Sequence, residues 1–283
     1  MAVGFDARER AMWAGRAGAY LGSFAGLCAY PAGALLDAAE VGAGCRVLDV
    51  GTGPGTVAAL AWERGAVVVA VDAEPSMVEA ARRRVPGMPV WEATLPGLPF
   101  EGGSFDVAVA NFVVNHVGDP AAAVGELRRV VRPGGRGAVT IWPQPAPPLQ
   151  RMWGEVLEAA SAAGGAGGGA PAATPDMARV RVDAGRDFAR TVDGLAALRA
   201  GAGLGDVRCE TVAWTHRVGV DDWWSGPANG LGALGMALDG QPAAVVGRVR
   251  RAYDQVSAAY LGPDGRLALP TAALLAAGTV TGP

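Results

Sequence analysis

The sequence predicts an α/β fold with a parallel sheet built from βαβ units, and three observations support this prediction. Short β-rich runs alternate with helical stretches between residues 45 and 142. The chain has 283 residues, of which 51% are hydrophobic and 18% charged, so it can bury a large core and is not intrinsically disordered. Its apolar runs fall short of the roughly 18 residues that a membrane-spanning helix needs.

The charge balance and the cysteines narrow the range of partners. The formal net charge is −3, and the 24 basic residues are all arginines without an unbalanced cluster, so we expect no nucleic-acid partner. Cys28, Cys45 and Cys209 lie far apart without metal-ligand spacing, so we expect free thiols and no metal site. The N-terminus is charged where a signal peptide needs an apolar core, which predicts a cytoplasmic protein with no membrane partner.

The pattern of residues assigns the elements in chain order. Residues 1–40 are predicted to be helical, because aromatic and apolar residues recur there among many alanines. The predicted strands are 45–50, 67–72, 89–91, 105–112, 137–142 and 207–218, with 269–280 able to close the sheet as the last strand. The predicted helices are 56–64, 75–84, 121–131, 190–203 and, within one helical insertion, 221–262.

Two segments are assigned by their glycines and prolines. Pro133, Gly134 and Gly135 predict the end of the helix at 121–131. Residues 161–175 consist almost entirely of Ala, Gly, Pro and Ser, which predicts a flexible loop.

The motif with the clearest chemical meaning is VLDVGTGPGTVA at residues 47–58, where a buried strand leads into a glycine turn and then a helix. Gly51, Gly53 and Gly55 tolerate positive φ, and their lack of a Cβ lets a ligand approach the backbone. The start of the helix also presents free N–H groups. The motif therefore predicts a ligand-binding turn at the end of the first strand.

Asp49 helps to distinguish two ligands that such a turn can bind. A dinucleotide fingerprint has the spacing GxGxxG, whereas this chain has GxGxG, with Thr56 in place of the third glycine. The Asp49 carboxylate would repel a pyrophosphate but would suit a ligand that carries an ammonium group. The sequence therefore disfavours NAD, and an NAD-dependent oxidoreductase is kept as an alternative.

Asp72 is the second element of the predicted site. It ends the second strand, downstream of the glycine turn. A carboxylate there can accept hydrogen bonds from both hydroxyls of a ribose. The alternative is a negative charge that only stabilises the start of the following helix.

A third group of residues consists of LPF at 98–100, GSFDVAVANFVVNHVGDP at 103–120 and ELRRVVRPGG at 126–135. Together with the glycine turn and Asp72, these segments resemble class I S-adenosylmethionine-dependent methyltransferases of the small-molecule, natural-product type. The resemblance implies a Rossmann-like, seven-stranded, mostly parallel sheet with helices on both faces and helical lid insertions. It implies S-adenosylmethionine as the cofactor and S-adenosylhomocysteine as its product.

The resemblance also implies roles for individual residues. The glycine turn is expected to surround the methionine part of the cofactor, Asp72 to hold its ribose, and the ends of the second and third strands to flank its adenine. The implied cofactor-binding residues are Tyr20, Asp49, Gly51, Thr52, Gly53, Gly55, Asp72, Ala73, Met77, Thr94, Leu95 and Asn111. The chain departs from the family at Thr94, where relatives commonly carry an aspartate.

One methyltransferase domain is expected over residues 1–283. We expect it to consist of an N-terminal helical cap, a cofactor-binding core, a flexible loop with helices, and C-terminal strands that carry the helical insertion. These four parts are 1–40, 41–143, 144–205 and 206–283, with the insertion at 221–262.

His116 is the candidate general base. It follows the fourth predicted strand in NFVVNHVGDP, and an unperturbed imidazole titrates in the range that suits a base. A base is needed only where the methyl acceptor must lose a proton. A histidine that packs against or caps the next helix is the alternative, and we expect His216 to be structural.

Aromatic residues suggest how an acceptor is held. The candidate substrate-binding residues are Phe24, Asn115, Trp142, Trp223 and Trp224, because planar molecules stack on aromatic rings and an amide can orient a polar group. Two adjacent tryptophans on one helix are expected not to face the same core. One of Trp223 and Trp224 is therefore predicted to be a pocket wall.

These observations predict methyl transfer to an N or O atom of a small, mainly apolar natural product. The arginine-, alanine- and glycine-rich composition is typical of high-GC bacteria that make antibiotic-type secondary metabolites. The expected partner is a small-molecule substrate, and the expected state is a monomer or homodimer. A binding protein or cyclase on the methyltransferase scaffold is the alternative from another functional class.

Overall fold

The computed structural model describes residues 4–165 and 182–282. Seven strands form its sheet: β1 (Arg46–Val50), β2 (Val67–Asp72), β3 (Val90–Glu92), β4 (Phe105–Asn111), β5 (Val131–Ile141), β6 (Leu204–Val218) and β7 (Leu267–Val280). Their order in the sheet is β3-β2-β1-β4-β5-β7-β6. Strands β1 to β5 are parallel, and β7 runs antiparallel to β5 and β6. The predicted seven-stranded, mostly parallel sheet is confirmed.

The helices lie on both faces of the sheet, as predicted. They are α1 (Phe5–Trp13), α2 (Ala17–Gly22), α3 (Ala25–Ala29), α4 (Ala32–Ala38), α5 (Thr56–Glu63), α6 (Pro75–Arg84), α7 (Pro120–Val130), α8 (Pro148–Gly165), α9 (Val192–Gly201), α10 (Val220–Ala228), α11 (Gly232–Leu238) and α12 (Ala243–Ser257). Buried residues of α4, α5 and α6 form one hydrophobic core with the sheet, and those of α7 and α9 form another. Among the described helices, none combines the length and apolarity needed to cross a membrane.

A third hydrophobic core distinguishes the part of the molecule made by the second half of the chain. Helices α8, α10, α11 and α12 pack there against β6 and β7. This core is rich in aromatic rings: Trp153 stacks on Trp223 and on Tyr253, with ring centroids 5.5 and 5.6 Å apart. It supports the helical wall that faces the ends of the parallel strands.

The boundary between α7 and β5 differs from the prediction. Helix α7 ends at Val130, and β5 begins at Val131, which pairs with Phe105. Arg132 precedes a proline, and such a residue disfavours helical backbone. A register shift follows between Phe105 and Val107, so β5 continues through the proline and glycines that were predicted only to stop the helix.

The predicted flexible loop at 161–175 is wrong for its first residues. Residues 161–165 continue α8, because the apolar positions of this helix keep a helical spacing through Ala160. The rest of the predicted loop lies outside the described residues.

Candidate active site

A cavity of about 1180 Å³ opens along the carboxyl ends of β1, β2 and β4. These ends meet because the strands are parallel: in the register, Asp49 is opposite Ala70 of β2 and Val109 of β4. Helices α1, α8, α10 and α11 line the other side of the cavity. A smaller pocket of about 30 Å³ lies between the glycine turn and α3. Open α/β sheets bind their ligands at this edge.

The three glycines of the turn serve different purposes. All adopt left-handed backbone, with φ of +65° at Gly51, +54° at Gly53 and +82° at Gly55. A Cβ on Gly51 would collide with the side chain of Val113, and one on Gly55 would lie 3.2 Å from Ala81 of α6. Gly53 lines the cavity, and a Cβ there would meet no described atom within 4 Å. Only Gly53 therefore keeps space open for a ligand, while the other two allow close packing.

Asp49 is a buried carboxylate with one oxygen left over. Its side chain accepts hydrogen bonds at Oδ2 from the Thr52 hydroxyl (2.7 Å) and from the Ala58 amide (3.0 Å). Oδ1 has no hydrogen-bond partner among the described residues. Burial raises the pKa of Asp49 to about 7, although both hydrogen bonds lower it. A cationic donor would complete this site and favour the ionised carboxylate.

Asp72 holds the glycine turn in place. Its Oδ2 accepts a hydrogen bond from the Gly53 amide at 2.7 Å, and its Oδ1 accepts one from the Glu74 amide at 2.9 Å. Burial raises the pKa of Asp72, and these two amides oppose the rise. Each carboxylate oxygen has a second lone-pair site. The carboxylate can therefore accept two further hydrogen bonds from a ligand in the cavity.

Tyr20 and Asn111 close the space between the turn and the N-terminal helices. Both line the larger cavity and the smaller pocket. Burial raises the pKa of Tyr20 well above its usual value, so its hydroxyl remains a neutral donor. The Asn111 amide donates to the Cys28 carbonyl at 2.8 Å, and its oxygen accepts from the Thr140 hydroxyl at 2.6 Å. Asn111 therefore fixes α3 against the sheet as well as lining the cavity.

The remaining predicted cofactor residues fall into two groups. Ala73, Met77, Thr94 and Leu95 line the larger cavity, where Met77 is buried and Thr94 exposed. Asp49 and Thr52 line only the smaller pocket, and Gly55 lines neither because it packs against α6.

His116 lies on the cavity wall and meets a carboxylate that the sequence did not indicate. It ends the 3-10 turn Val114–His116 after β4, and its Nδ1 is 2.7 Å from Oε2 of Glu9 on α1. The Glu9 side chain is 9% exposed and that of His116 is 32% exposed. Trp13 packs edge-on against the imidazole, with centroids 5.5 Å apart. His216 lies on β6 outside the cavity lining, buried against Trp223, as a structural histidine would.

Sequence reasoning missed the contribution of α1. The Asp6 carboxylate accepts a hydrogen bond from the Gly118 amide at 2.6 Å, one turn of helix away from Glu9. Asp6 and Glu9 are three residues apart and therefore share a helix face. That spacing was the available signal, but an acidic face on an isolated helix is usually exposed to solvent.

The predicted aromatic wall is present in part. Phe24, Trp142 and Trp223 line the cavity, and Trp142 stacks on Phe112 with centroids 3.9 Å apart. Trp153 of α8 also lines the cavity and was not among the predicted substrate residues. The apolar positions of α8 recur with helical spacing, so the sequence could predict which face of α8 is buried. It could not predict that this face lines the cavity.

Two predicted substrate residues lie outside the cavity lining. Trp224 is buried against Tyr253 (5.2 Å) and beneath the Arg250 guanidinium. Trp223 and Trp224 are both buried in the same core, so the expectation that adjacent tryptophans cannot share one core is wrong: α10 is enclosed on two sides. Asn115 accepts a hydrogen bond from the Trp142 amide at 3.2 Å and thus supports the wall instead of lining it.

The described residues contain no group of three or more histidine, cysteine, aspartate or glutamate side chains arranged to hold a metal ion. The polar groups at the strand ends are carboxylates and backbone amides, and Tyr20 of α2 adds a phenol beside them. Such groups suit an organic ligand that carries both cationic and hydroxyl groups.

Comparison with known proteins shows what this chain is similar to. Residues 48–139, about a third of the chain, match the family described as a methyltransferase domain. In structure, the chain is similar to the YcgJ protein from Bacillus subtilis, with a TM-score of 0.54 and 22% identity over 90% of this chain and 99% of that one. The chain therefore has a Rossmann-like methyltransferase fold, and residues 48–139 resemble a methyltransferase domain.

Two curated relatives show what the similarity covers. A demethylmenaquinone methyltransferase from Clavibacter sepedonicus is 38% identical over 112 residues, which are 38% of this chain and 46% of that protein. A malonyl-[acyl-carrier protein] O-methyltransferase from Salmonella typhimurium is 36% identical over 140 residues, which are 49% of this chain and 56% of that protein. The chain spans about half the length of these relatives, and the two act on different acceptors.

Proposed function

We propose that this protein transfers a methyl group from S-adenosylmethionine to an O or N atom of a small, mainly apolar and planar natural product. The observation that carries this proposal is the continuity of the cavity. One end has the glycine turn, Tyr20 and Asp72, the other has an aromatic wall, and His116 lies on the same surface.

The residues at the strand ends fit the cofactor. The unpaired Oδ1 of Asp49 can accept a hydrogen bond from the ammonium group of the methionine part. Tyr20 is a neutral donor for its carboxylate, and the free lone pairs of Asp72 can accept hydrogen bonds from the ribose. Gly53 leaves room beside them because it has no Cβ. Met77 and Leu95 offer apolar contacts to the adenine.

The chain contributes mainly positioning to the reaction. The bound cofactor supplies an electrophilic methyl group on a positively charged sulfur. The aromatic wall holds the acceptor with its nucleophilic atom in line with that methyl group, and alignment of this kind can lower a barrier by roughly 7–11 kcal/mol. A neutral amine needs no base before attack, whereas a hydroxyl acceptor would give its proton to His116.

The cavity supports the proposed acceptor class. Its volume of about 1180 Å³ exceeds the ~300–1,000 Å³ that holds one drug-sized ligand, so a cofactor and an acceptor fit together. Phe24, Trp142, Trp153 and Trp223 provide ring faces for a planar acceptor. Relatives with the same domain act on unrelated acceptors, so the wall outside the matched segment is where we place specificity. An antibiotic-type secondary metabolite, a cytoplasmic location, and a monomeric or homodimeric state stay predictions.

Two measurements test the proposed function. Calorimetry with S-adenosylmethionine, S-adenosylhomocysteine and NAD should show binding of the first two and none of NAD, and the reverse would indicate an oxidoreductase. Mass spectrometry of a panel of aromatic hydroxyl and amino compounds should then detect the gain of one methyl group. Cofactor binding together with an acceptor that is converted without methyl gain would favour a cyclase on this scaffold.

A further inference from the structure

The contact between α1 and the turn after β4 depends on two carboxylates with different partners. Asp6 accepts a hydrogen bond from the backbone amide of Gly118 at 2.6 Å. Glu9 meets the imidazole of His116 at Nδ1, at 2.7 Å. Glu9 is buried, so its carboxylate has little water to replace this partner. The Asp6 contact holds the backbone of the turn, whereas the Glu9 contact acts on the imidazole and on the position of its proton.

The Glu9 contact fixes which ring nitrogen carries the proton. An ionised carboxylate only accepts hydrogen bonds, so a neutral imidazole at this distance must donate from Nδ1. The lone pair is then on Nε2, which has no hydrogen-bond partner among residues 4–165 and 182–282. His116 lines the cavity and its side chain is 32% exposed, so the ring nitrogen that Glu9 does not occupy can meet a ligand there.

We infer that Glu9 is a positioning residue that holds His116 as the Nδ1–H tautomer and thereby makes Nε2 the proton acceptor for a hydroxyl nucleophile. This inference rests on the proposed function. The proton balance closes within the site: the acceptor oxygen gains the methyl group, and its proton moves to Nε2. A neutral thioether would be displaced in the same step, and the imidazolium that forms would be stabilised by the buried Glu9 carboxylate.

Other charged groups line the same cavity, but Glu9 differs from them in its contact with the His116 ring. They are Asp6 and Arg10 on α1, Asp72 at the end of β2, Glu74 just after it, and Arg151, Glu155 and Glu158 on α8. Asp119 caps α7 three residues after His116 through the Ala122 amide. Among the described contacts of the His116 ring, only that with Glu9 is a hydrogen bond. Asp6 offers a matched control, because it lies on the same helix and contacts the same turn without touching the ring.

The test is the tautomer of His116, read from the ¹⁵N shifts of its two ring nitrogens in alkaline buffer. The chain has only two histidines, and a His216→Asn variant assigns the signals. In the wild-type protein we expect His116 to be protonated at Nδ1 alone. Glu9→Leu should abolish this preference and give a mixture of tautomers, whereas Asp6→Asn should keep the wild-type pattern. Unchanged His216 signals report that each variant is folded.

Two results would overturn the inference: a wild-type ring protonated at Nε2, or a Glu9→Leu variant that keeps the wild-type tautomer. If Glu9→Leu does not fold, the tautomer of His116 measured in the wild-type protein is sufficient to test the inference. Adding S-adenosylhomocysteine to the same sample separates this inference from the proposed function. Failure of that ligand to bind would contradict the proposed function, while the tautomer is read without any ligand.

Discussion

The two sides of the cavity are built in opposite ways. On the cofactor side, the parallel strands β1, β2 and β4 bring Asp49, Asp72 and Asn111 to one edge of the sheet. On the acceptor side, the wall comes from α1, α8, α10 and α11, which are far apart in the chain. Helices α8 and α10 meet there through the stacked rings of Trp153 and Trp223. The difference indicates that cofactor binding and acceptor choice can change independently.

The largest expected effect is on the cofactor side, at Asp72. Asp72→Ala removes the acceptor for two ribose hydroxyls, and two such hydrogen bonds at about 1.5 kcal/mol each correspond to about a 100-fold loss of affinity. Calorimetry with S-adenosylmethionine measures it. Glu92→Ala is the control, since Glu92 is opposite Asp72 in the register but exposed and outside the cavity lining. Affinity of Asp72→Ala within threefold of wild type would refute the cofactor assignment.

The next effect is a pH dependence caused by Asp49. Its folded-state pKa is raised to about 7, and the cofactor's ammonium group needs the ionised carboxylate. Affinity should therefore rise about tenfold between pH 5.5 and pH 7 and level off above that. The sign for folding is opposite: the unfolded carboxylate ionises first, so this residue costs stability as pH rises from about 4 to about 7.

Asp49→Asn is the control for the pH dependence of both the cofactor affinity and the free energy of unfolding. It should bind S-adenosylmethionine weakly, with little dependence on pH. Its unfolding free energy should not show the decrease between about pH 4 and about pH 7 that Asp49 causes in the wild-type protein. A wild-type affinity that is flat over this pH range would show that Asp49 does not meet the ammonium group.

A smaller effect is expected at Gly53, where a comparison with Gly87 separates the loss of stability caused by backbone strain from the loss of cofactor binding. Gly53→Ala and Gly87→Ala both place a Cβ at positive φ (+54° and +89°) with no described atom within 4 Å, so each should lose about 1 kcal/mol of stability. Of these two glycines, only Gly53 lines the cavity. Gly53→Ala alone should therefore weaken cofactor binding, by about tenfold. Equal binding by the two variants would place the cofactor away from the turn.

The smallest effect on the cofactor is expected from the acceptor side. Trp153→Leu removes a ring that stacks on Trp223, so affinity for the neutral dye Nile red should fall about two- to tenfold. Affinity for S-adenosylmethionine should stay within about twofold. Trp91→Leu is the control, because Trp91 is exposed on β3 outside the cavity lining, and neither affinity should change. A large loss of cofactor affinity in Trp153→Leu would contradict the independence of the two sides.

The same contrast explains what sequence could predict. The glycine turn and Asp72 were predictable because each follows a strand of clear β pattern, and parallel strands bring their carboxyl ends together. Glu9 was not, because its contact with His116 spans 107 residues and depends on how α1 docks. Trp224 does not line the cavity because it packs against Tyr253 of α12. The helical periodicity of α10 does not predict this contact between helices. Local motifs thus predict the cofactor side, whereas tertiary packing determines the acceptor side.

A crystal structure with S-adenosylhomocysteine bound tests the central claim most directly. The account predicts the amino group of the ligand within hydrogen-bond distance of Asp49 Oδ1, its ribose hydroxyls on Asp72, and its sulfur facing the aromatic wall and His116. A ligand bound away from the glycine turn, or one whose ribose does not contact Asp72, would contradict it.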